Sequence, residues 1–165
     1  MKIALLFLAA VIVAPVGSIQ GQGETEQPAL PTRDDSLDFV PWQYRGMIKE
    51  AAHEAGISPQ ILAGIAYAES SLRENPNHPD KYDRGMFGLH ETPEIHAERA
   101  RKWGEYDALV PEEAVRIAAG YLAECYGRLG DETLAICAYR QGVEGIRRDG
   151  PEEWYAERVK GVAND

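Results

Sequence analysis

Glu69 closes a run of small and apolar residues, QILAGIAYAES over residues 60–70, and a carboxylate in that position can do chemistry. Ile61, Leu62, Ile65 and Ala66 recur at the spacing of one helical face, and Glu69 falls four and three residues beyond the last two, on the same face. Two effects there disfavour its charge: the negative end of the helix dipole, by roughly a few tenths of a kcal/mol, and desolvation on an apolar stripe. Both push the pKa upward. A carboxyl that keeps its proton near neutral pH can serve as a general acid toward an ether or glycosidic oxygen. The plainer reading is a Glu at a ragged helix end that turns to solvent or pairs with Arg73, and spacing alone leaves both open.

Simple glycoside hydrolysis needs a second carboxylate about 5 to 9.5 Å from the first. Asp83 and Glu91, in the polar stretch after the Glu69 helix, are the candidates, although Asp83 also suits the start of a glycine turn. His90 and His96 lie close together in HETPEIH, but not at the spacing of a metal-binding helix and with no cysteine nearby, so no metal site is expected. His53 reads as a surface residue. Tyr44, Tyr82, Trp103 and Tyr106 could stack on sugar rings, though aromatic residues at helix and loop positions equally pack in a core or at its rim. There is no serine or cysteine nucleophile with an arranged base and no glycine-rich phosphate loop. No cofactor is required.

Helices must position these groups, because helix signals recur along the chain with little strand signal. Pro41 opens a helix ending at Ala55, with Gly56 at its C-terminal stop. Ser58 caps and Pro59 starts the helix that carries Glu69. Residues 73–88, rich in Asn, Pro, Asp and Gly, form a long polar loop, and Thr92 and Pro93 restart a helix. Pro111 opens the next, whose stripe is Ala114, Ile117, Ala118, Tyr121, Leu122 and Cys125. Asp131 caps a short helix through Tyr139, and Pro151 begins a last one bearing Trp154, Tyr155 and Val159. The expectation is an all-α, mainly helical domain.

The 165 residues allow one domain with a real core. The opening MKIALLFLAAVIVAPVGS has a lysine, an apolar stretch from Ile3 to Ala14 and then small residues, the pattern of a signal peptide over 1–18; the stretch is short for a hydrocarbon layer of about 30 Å. An exported protein, periplasmic or extracellular and without a membrane span in its mature form, is expected, with an uncleaved anchor as the alternative. Residues 19–38 are polar and read as a flexible linker, so the domain is expected over 39–165. A formal net charge of -10 repels nucleic acid and anionic lipid alike, which argues against both as partners. A hairpin turning near Arg128 to Gly130 sets Cys125 opposite residues near 133 rather than opposite Cys137, so two buried free thiols are expected.

Three stretches in order resemble the lysozyme-like lytic transglycosylases of the soluble-lytic-transglycosylase type. AGISPQILAGIAYAESSL, Ala55 to Leu72, resembles the motif in which a helix ends in Glu-Ser and the Glu is the sole catalytic acid and base; here these are Glu69 and Ser70. GMFGLHE, Gly85 to Glu91, resembles the motif GLMQ: Gly88 and Leu89 match, while His90 and Glu91 replace Met and Gln. LAICAYRQGVEGI, Leu134 to Ile146, resembles the motif Ala-Tyr-Asn followed by glycine: Ala138, Tyr139 and Gly142 match, and Arg140 replaces Asn. YLAECYGRLGD resembles the helix before it, so the likeness runs from about Tyr44 to Gly150.

The resemblance implies a compact lysozyme-like helical fold with a long loop at a sugar groove. It implies cleavage of the β-1,4 bond between N-acetylmuramic acid and N-acetylglucosamine in peptidoglycan, with Glu69 protonating the leaving oxygen and then taking the proton of the 6-hydroxyl to close a 1,6-anhydro ring. The loop motif lines the sugar site and Tyr139 helps hold the catalytic carboxyl. Ser70, Gly88, Leu89, His90, Glu91, Tyr139 and Arg140 are the expected substrate-binding set, and the replacements at 90, 91 and 140 would alter which sugar or stem peptide is accepted. The partners expected are peptidoglycan strands and, for so small a domain, an envelope complex that localises it; a monomer is expected. Two alternatives stay open: a muramidase that hydrolyses the same bond, and a binding module of an envelope machine that cuts nothing.

Overall fold

The structure, a computed structural model, describes residues 36–164. The expected signal peptide and residues 19–35 of the expected linker lie outside them. Leu37 is already fully buried, so the core reaches two residues ahead of the expected start at Phe39.

The described residues form seven helices and one small hairpin: α1 Trp42–Ala55, α2 Pro59–Ser70, β1 Asp83–Arg84, β2 Leu89–His90, α3 Pro93–Trp103, α4 Pro111–Leu129, α5 Glu132–Gln141, α6 Val143–Asp149 and α7 Glu153–Asn164. The mainly helical expectation holds. Helix starts follow the caps: Ser58, Thr92 and Asp131 each accept, through a side-chain oxygen, from the backbone N–H three residues on, an arrangement worth about 1 kcal/mol apiece. Pro59, Pro93 and Pro111 occupy first-turn positions, where a missing N–H costs nothing. α1 and α4 stop at Gly56 and Gly130, both left-handed.

Three details differ from expectation. The last helix begins at Glu153, two residues after Pro151. The short helix α6 follows α5 directly, broken from it by Gly142. The loop after α2 contains the hairpin, with Asp83 paired to His90 and Arg84 to Leu89.

α2 is the central element, buried on nearly every side: Leu62, Ala63, Ile65 and Ala66 have no exposed surface. Burying Leu62 and Ile65 stabilises the fold by about 1.5–3 kcal/mol each. α7 crosses α2 at Gly64, where an added Cβ would collide with the Val159 carbonyl oxygen. Because Glu69 lies after Gly64 and its neighbour Tyr155 before Val159, the two helices run antiparallel, and their far ends meet at the groove. α4 and α5 form the hairpin expected around Gly130; Cys125 and Cys137 are buried on them as free thiols. Among the described residues no helix is long and apolar enough to cross a membrane.

Candidate active site

α2 ends abruptly one residue after Glu69. Ser71 and Leu72 take left-handed conformations in succession, with φ 55° and 59°, and their N–H groups turn back to the carbonyls of Tyr67 and Ala66. Neither residue is a glycine, so both conformations cost energy that the surrounding packing must offset. Ser70 belongs to this turn. It is buried, donates to the Ala66 carbonyl at 2.9 Å and accepts from the Arg73 N–H at 3.2 Å. It does not line the groove, which corrects its expected place among the substrate-binding residues: consecutive helix positions do not share a face.

The half-buried Glu69 opens into a groove of about 870 Å³ walled by the end of α2, the loop and hairpin over 78–90, and faces of α3, α4 and α5. Its Oε1 accepts a hydrogen bond from the Tyr155 hydroxyl at 2.5 Å. The ion pair with Arg73 does not form, since the Arg73 Nε donates to the Ser70 carbonyl instead. Burial raises the pKa of Glu69, as the sequence predicts; the Tyr155 hydroxyl and the charge of Arg140 work against that rise, Asp83 adds to it, and His78 opposes it.

The other oxygen of Glu69 faces Gly88. Gly88 has φ 57°, and a Cβ there would stand 2.5 Å from Glu69 Oε2, so the glycine supplies both a left-handed turn and room for the carboxyl. Tyr139 fixes this turn rather than the carboxyl itself: its buried hydroxyl donates to the Phe87 carbonyl at 2.9 Å. The grip on the carboxyl expected of Tyr139 comes from Tyr155, on a helix that carries no recognised motif. Leu89, His90, Tyr139 and Arg140 line the groove with Gly88.

Glu91 does not. It follows the two-residue strand, and its side chain turns from the groove toward Arg99 and Tyr106. It is nearly buried, accepting from Arg99 at 2.7 Å and from the Tyr106 hydroxyl at 2.7 Å through Oε1, with His96 Nδ1 2.6 Å from Oε2. Arg99 also donates to the His90 carbonyl at 2.8 Å and lies against the Tyr121 ring, 5.2 Å from its centroid. This network pins the hairpin to α3 and α4. Glu91 is therefore neither a sugar ligand nor a second carboxylate for Glu69.

Asp83 does line the groove, and its Oδ1 lies 2.9 Å from His90 Nδ1. Together with Asp80 these side chains bring one ligand atom each within 4.8 Å of one another, a grouping a divalent cation could use. His90 and His96 face different carboxylates and do not form a pair. Of the four aromatic candidates for sugar stacking, Trp103 lines the groove; Tyr44 bonds Glu74, Tyr82 packs edge-on to His90, and Tyr106 belongs to the Glu91 network. His53 is exposed on α1. His78, another groove residue and bonded to the Gly85 carbonyl, carried no sequence signal beyond its place in a polar loop.

The model of the transglycosylase SLT domain family matches residues 46–156. Peptidoglycan transglycosylase gp16 of Escherichia phage T7 is 34% identical over 108 residues, covering 62% of this chain and 8% of that protein. Membrane-bound lytic murein transglycosylase F of Alcanivorax borkumensis is 28% identical over 116 residues, 66% of this chain and 22% of that one. The chain thus spans less than a quarter of either relative. Among solved structures, an inactive mutant of the lytic transglycosylase Slt of Pseudomonas aeruginosa superposes with a TM-score of 0.63 at 22% identity, over 75% of this chain and 24% of that one, which is a likeness of fold. With the matched segment running from within α1 to within α7 and enclosing both Glu69 and Tyr155, the chain belongs to the transglycosylase SLT domain family.

Proposed function

We propose that this protein is a peptidoglycan lytic transglycosylase acting through one carboxyl group, Glu69. The observation that carries the reading is the environment of that group: dry enough for its pKa to be raised, held by Tyr155, capped by Gly88 and open to a groove of about 870 Å³. Protonated Glu69 gives its proton to the glycosidic oxygen between N-acetylmuramic acid and N-acetylglucosamine. The substrate's own N-acetyl group stabilises the positive charge growing at the anomeric carbon. Glu69, now a carboxylate and steadied by the Tyr155 hydroxyl, takes the proton of the muramyl 6-hydroxyl as that oxygen closes on the anomeric carbon, leaving a 1,6-anhydro product and the acid in its starting state. The names of the two relatives support the same activity.

Export belongs to this proposal. Peptidoglycan lies outside the cytoplasmic membrane, and the apolar stretch Ile3 to Ala14 is suited to carry the chain there. A second reading, hydrolysis, is favoured by one observation: Asp83 lines the groove and its charge bears on Glu69. Its engagement with His90 leaves it less suited to activate water than a free carboxylate.

Digestion of purified sacculi with the protein lacking residues 1–18 separates the readings. Mass spectrometry showing 1,6-anhydromuropeptides is the expected result; reducing ends in their place mean hydrolysis, and binding without soluble product means a non-cutting module. Glu69→Gln is expected to lower product release by about 10³-fold, within the range of general acid–base catalysis.

A further inference from the structure

Arg140 stands at the end of α5 where the resembled motif has Asn, and it lines the groove with Glu69. Its guanidinium is held in place on one side only. The guanidinium carbon lies 5.1 Å from the centroid of the Trp154 ring and 5.7 Å from that of Tyr155, and Nε donates to Glu152 at 3.2 Å. Tyr155 therefore carries Glu69 on its hydroxyl and Arg140 on its ring. The two terminal nitrogens of Arg140 have no hydrogen-bond acceptor among the described residues. A guanidinium fixed by its edge and stacked on aromatic rings presents its remaining donors as a fork, the geometry that takes a carboxylate through two bonds.

We infer that Arg140 is the receptor in this groove for a carboxylate borne by the muramyl unit, so that glycan carrying that anion is a better substrate than neutral glycan. The inference rests on the proposed function and names the substrate class within it. The protein as a whole, at net charge -10, repels an anionic strand, so an anionic substrate needs a local cation at the groove to seat it. An Asn in this place could bond a carboxylate but would bring no positive charge to it, whereas Arg140 brings one that it shares with Glu152. The charge of Arg140 also opposes the retention of a proton by Glu69, so a carboxylate docked on Arg140 offsets that influence and leaves burial to keep the acid protonated. Two parts of the substrate could supply the anion: the stem peptide, or the lactyl group once the peptide has been removed.

The test compares wild type, Arg140→Gln and Arg140→Lys on three forms of glycan strand: peptide-bearing, stripped by an amidase so that the lactyl carboxylate is free, and peptide-bearing with every carboxylate converted to an amide. Wild type is expected to cut amidated strands with kcat/KM about tenfold or more below its value on native strands, the scale of one charge-assisted hydrogen bond. Arg140→Gln is expected to lose that discrimination while still forming anhydro products, and Arg140→Lys to keep part of it. Stripped strands cut at the native level show that the free lactyl carboxylate serves as well as the peptide, stripped strands cut at the amidated level assign the anion to the peptide, and stripped strands cut above two equal peptide-bearing forms assign it to the lactyl group. Equal use of native, stripped and amidated strands by wild type overturns the inference, as does unchanged discrimination in Arg140→Gln; in either case anhydro products keep the transglycosylase reading standing. If wild type forms no anhydro product at all, that reading has failed, and cosedimentation with native and amidated sacculi decides the inference by itself: binding weakened by Arg140→Gln on native sacculi alone supports it, and unchanged binding overturns it.

Discussion

Tyr155→Phe removes one oxygen atom, the one that holds Glu69 Oε1 at 2.5 Å. The packing should survive, because the ring stays and the groove side of Glu69 remains open to water; the expected loss of stability is under about 1 kcal/mol. Catalysis should not survive so well. A donor to a carboxyl group binds the ionised form more strongly than the neutral one, so this bond strengthens as Glu69 gives up its proton in the first step. Hydrogen bonds to charged groups contribute about 1.5–3 kcal/mol, which predicts a kcat lower by about 10- to 150-fold with KM little changed. The pH profile carries the sharper signature. Tyr155 holds the pKa of Glu69 down against the effect of burial, so its hydroxyl's removal lets that pKa climb, and the alkaline limb of kcat, where the acid form is lost, should move to higher pH. Turnover of sacculi measured across pH for both proteins, with circular dichroism to confirm folding, reads both effects. A folded Tyr155→Phe protein with wild-type kcat and an unmoved alkaline limb would refute the assignment of Tyr155 as the group that positions Glu69.

Glu69 also affects stability. Its folded pKa is raised above the ordinary 4.5, so the native state holds a proton that the unfolded chain gives up, and stability falls as pH rises from the ordinary value through the raised one. Glu69→Gln should therefore gain melting temperature relative to wild type above that window and lose the advantage below it, in calorimetry at paired pH values. Gly88→Ala should lower kcat by about 10²-fold, since the new methyl group must displace the carboxyl from a position 2.5 Å away, and should cost about 1–2 kcal/mol in denaturant unfolding for its left-handed backbone. Arg99→Met leaves the nearly buried Glu91 without its cation; breaking such a pair costs about 3–5 kcal/mol, to be read as a large drop in melting temperature.

What the sequence made legible was whatever is written locally. Ser58, Thr92 and Asp131 announce helix starts, and the stripe from Ile61 to Ala66 places Glu69 on a dry face because helical period and burial are read from the same few residues. The hairpin escaped notice because strands of two residues are too short to show an alternation. Glu91 misled because the partners that draw it off the groove, Arg99 and Tyr106, lie 8 and 15 residues away and no local pattern announces them. Ser70 misled because adjacency to Glu69 in a helix means a different face. Tyr155 is separated from Glu69 by 86 residues and reads as one more aromatic residue on an amphipathic helix, so nothing short of the packing of α7 on α2 reveals its bond.

The antiparallel seating of α7 on α2 gives the order of synthesis a chemical meaning. Glu69 leaves the ribosome early, and the hydroxyl that steadies it arrives with the last of the described helices, so an unfinished or clipped chain bears the acid without its anchor. In a domain built this way the carboxyl and the hydroxyl that steadies it come together only once α7 has been made and has packed against α2.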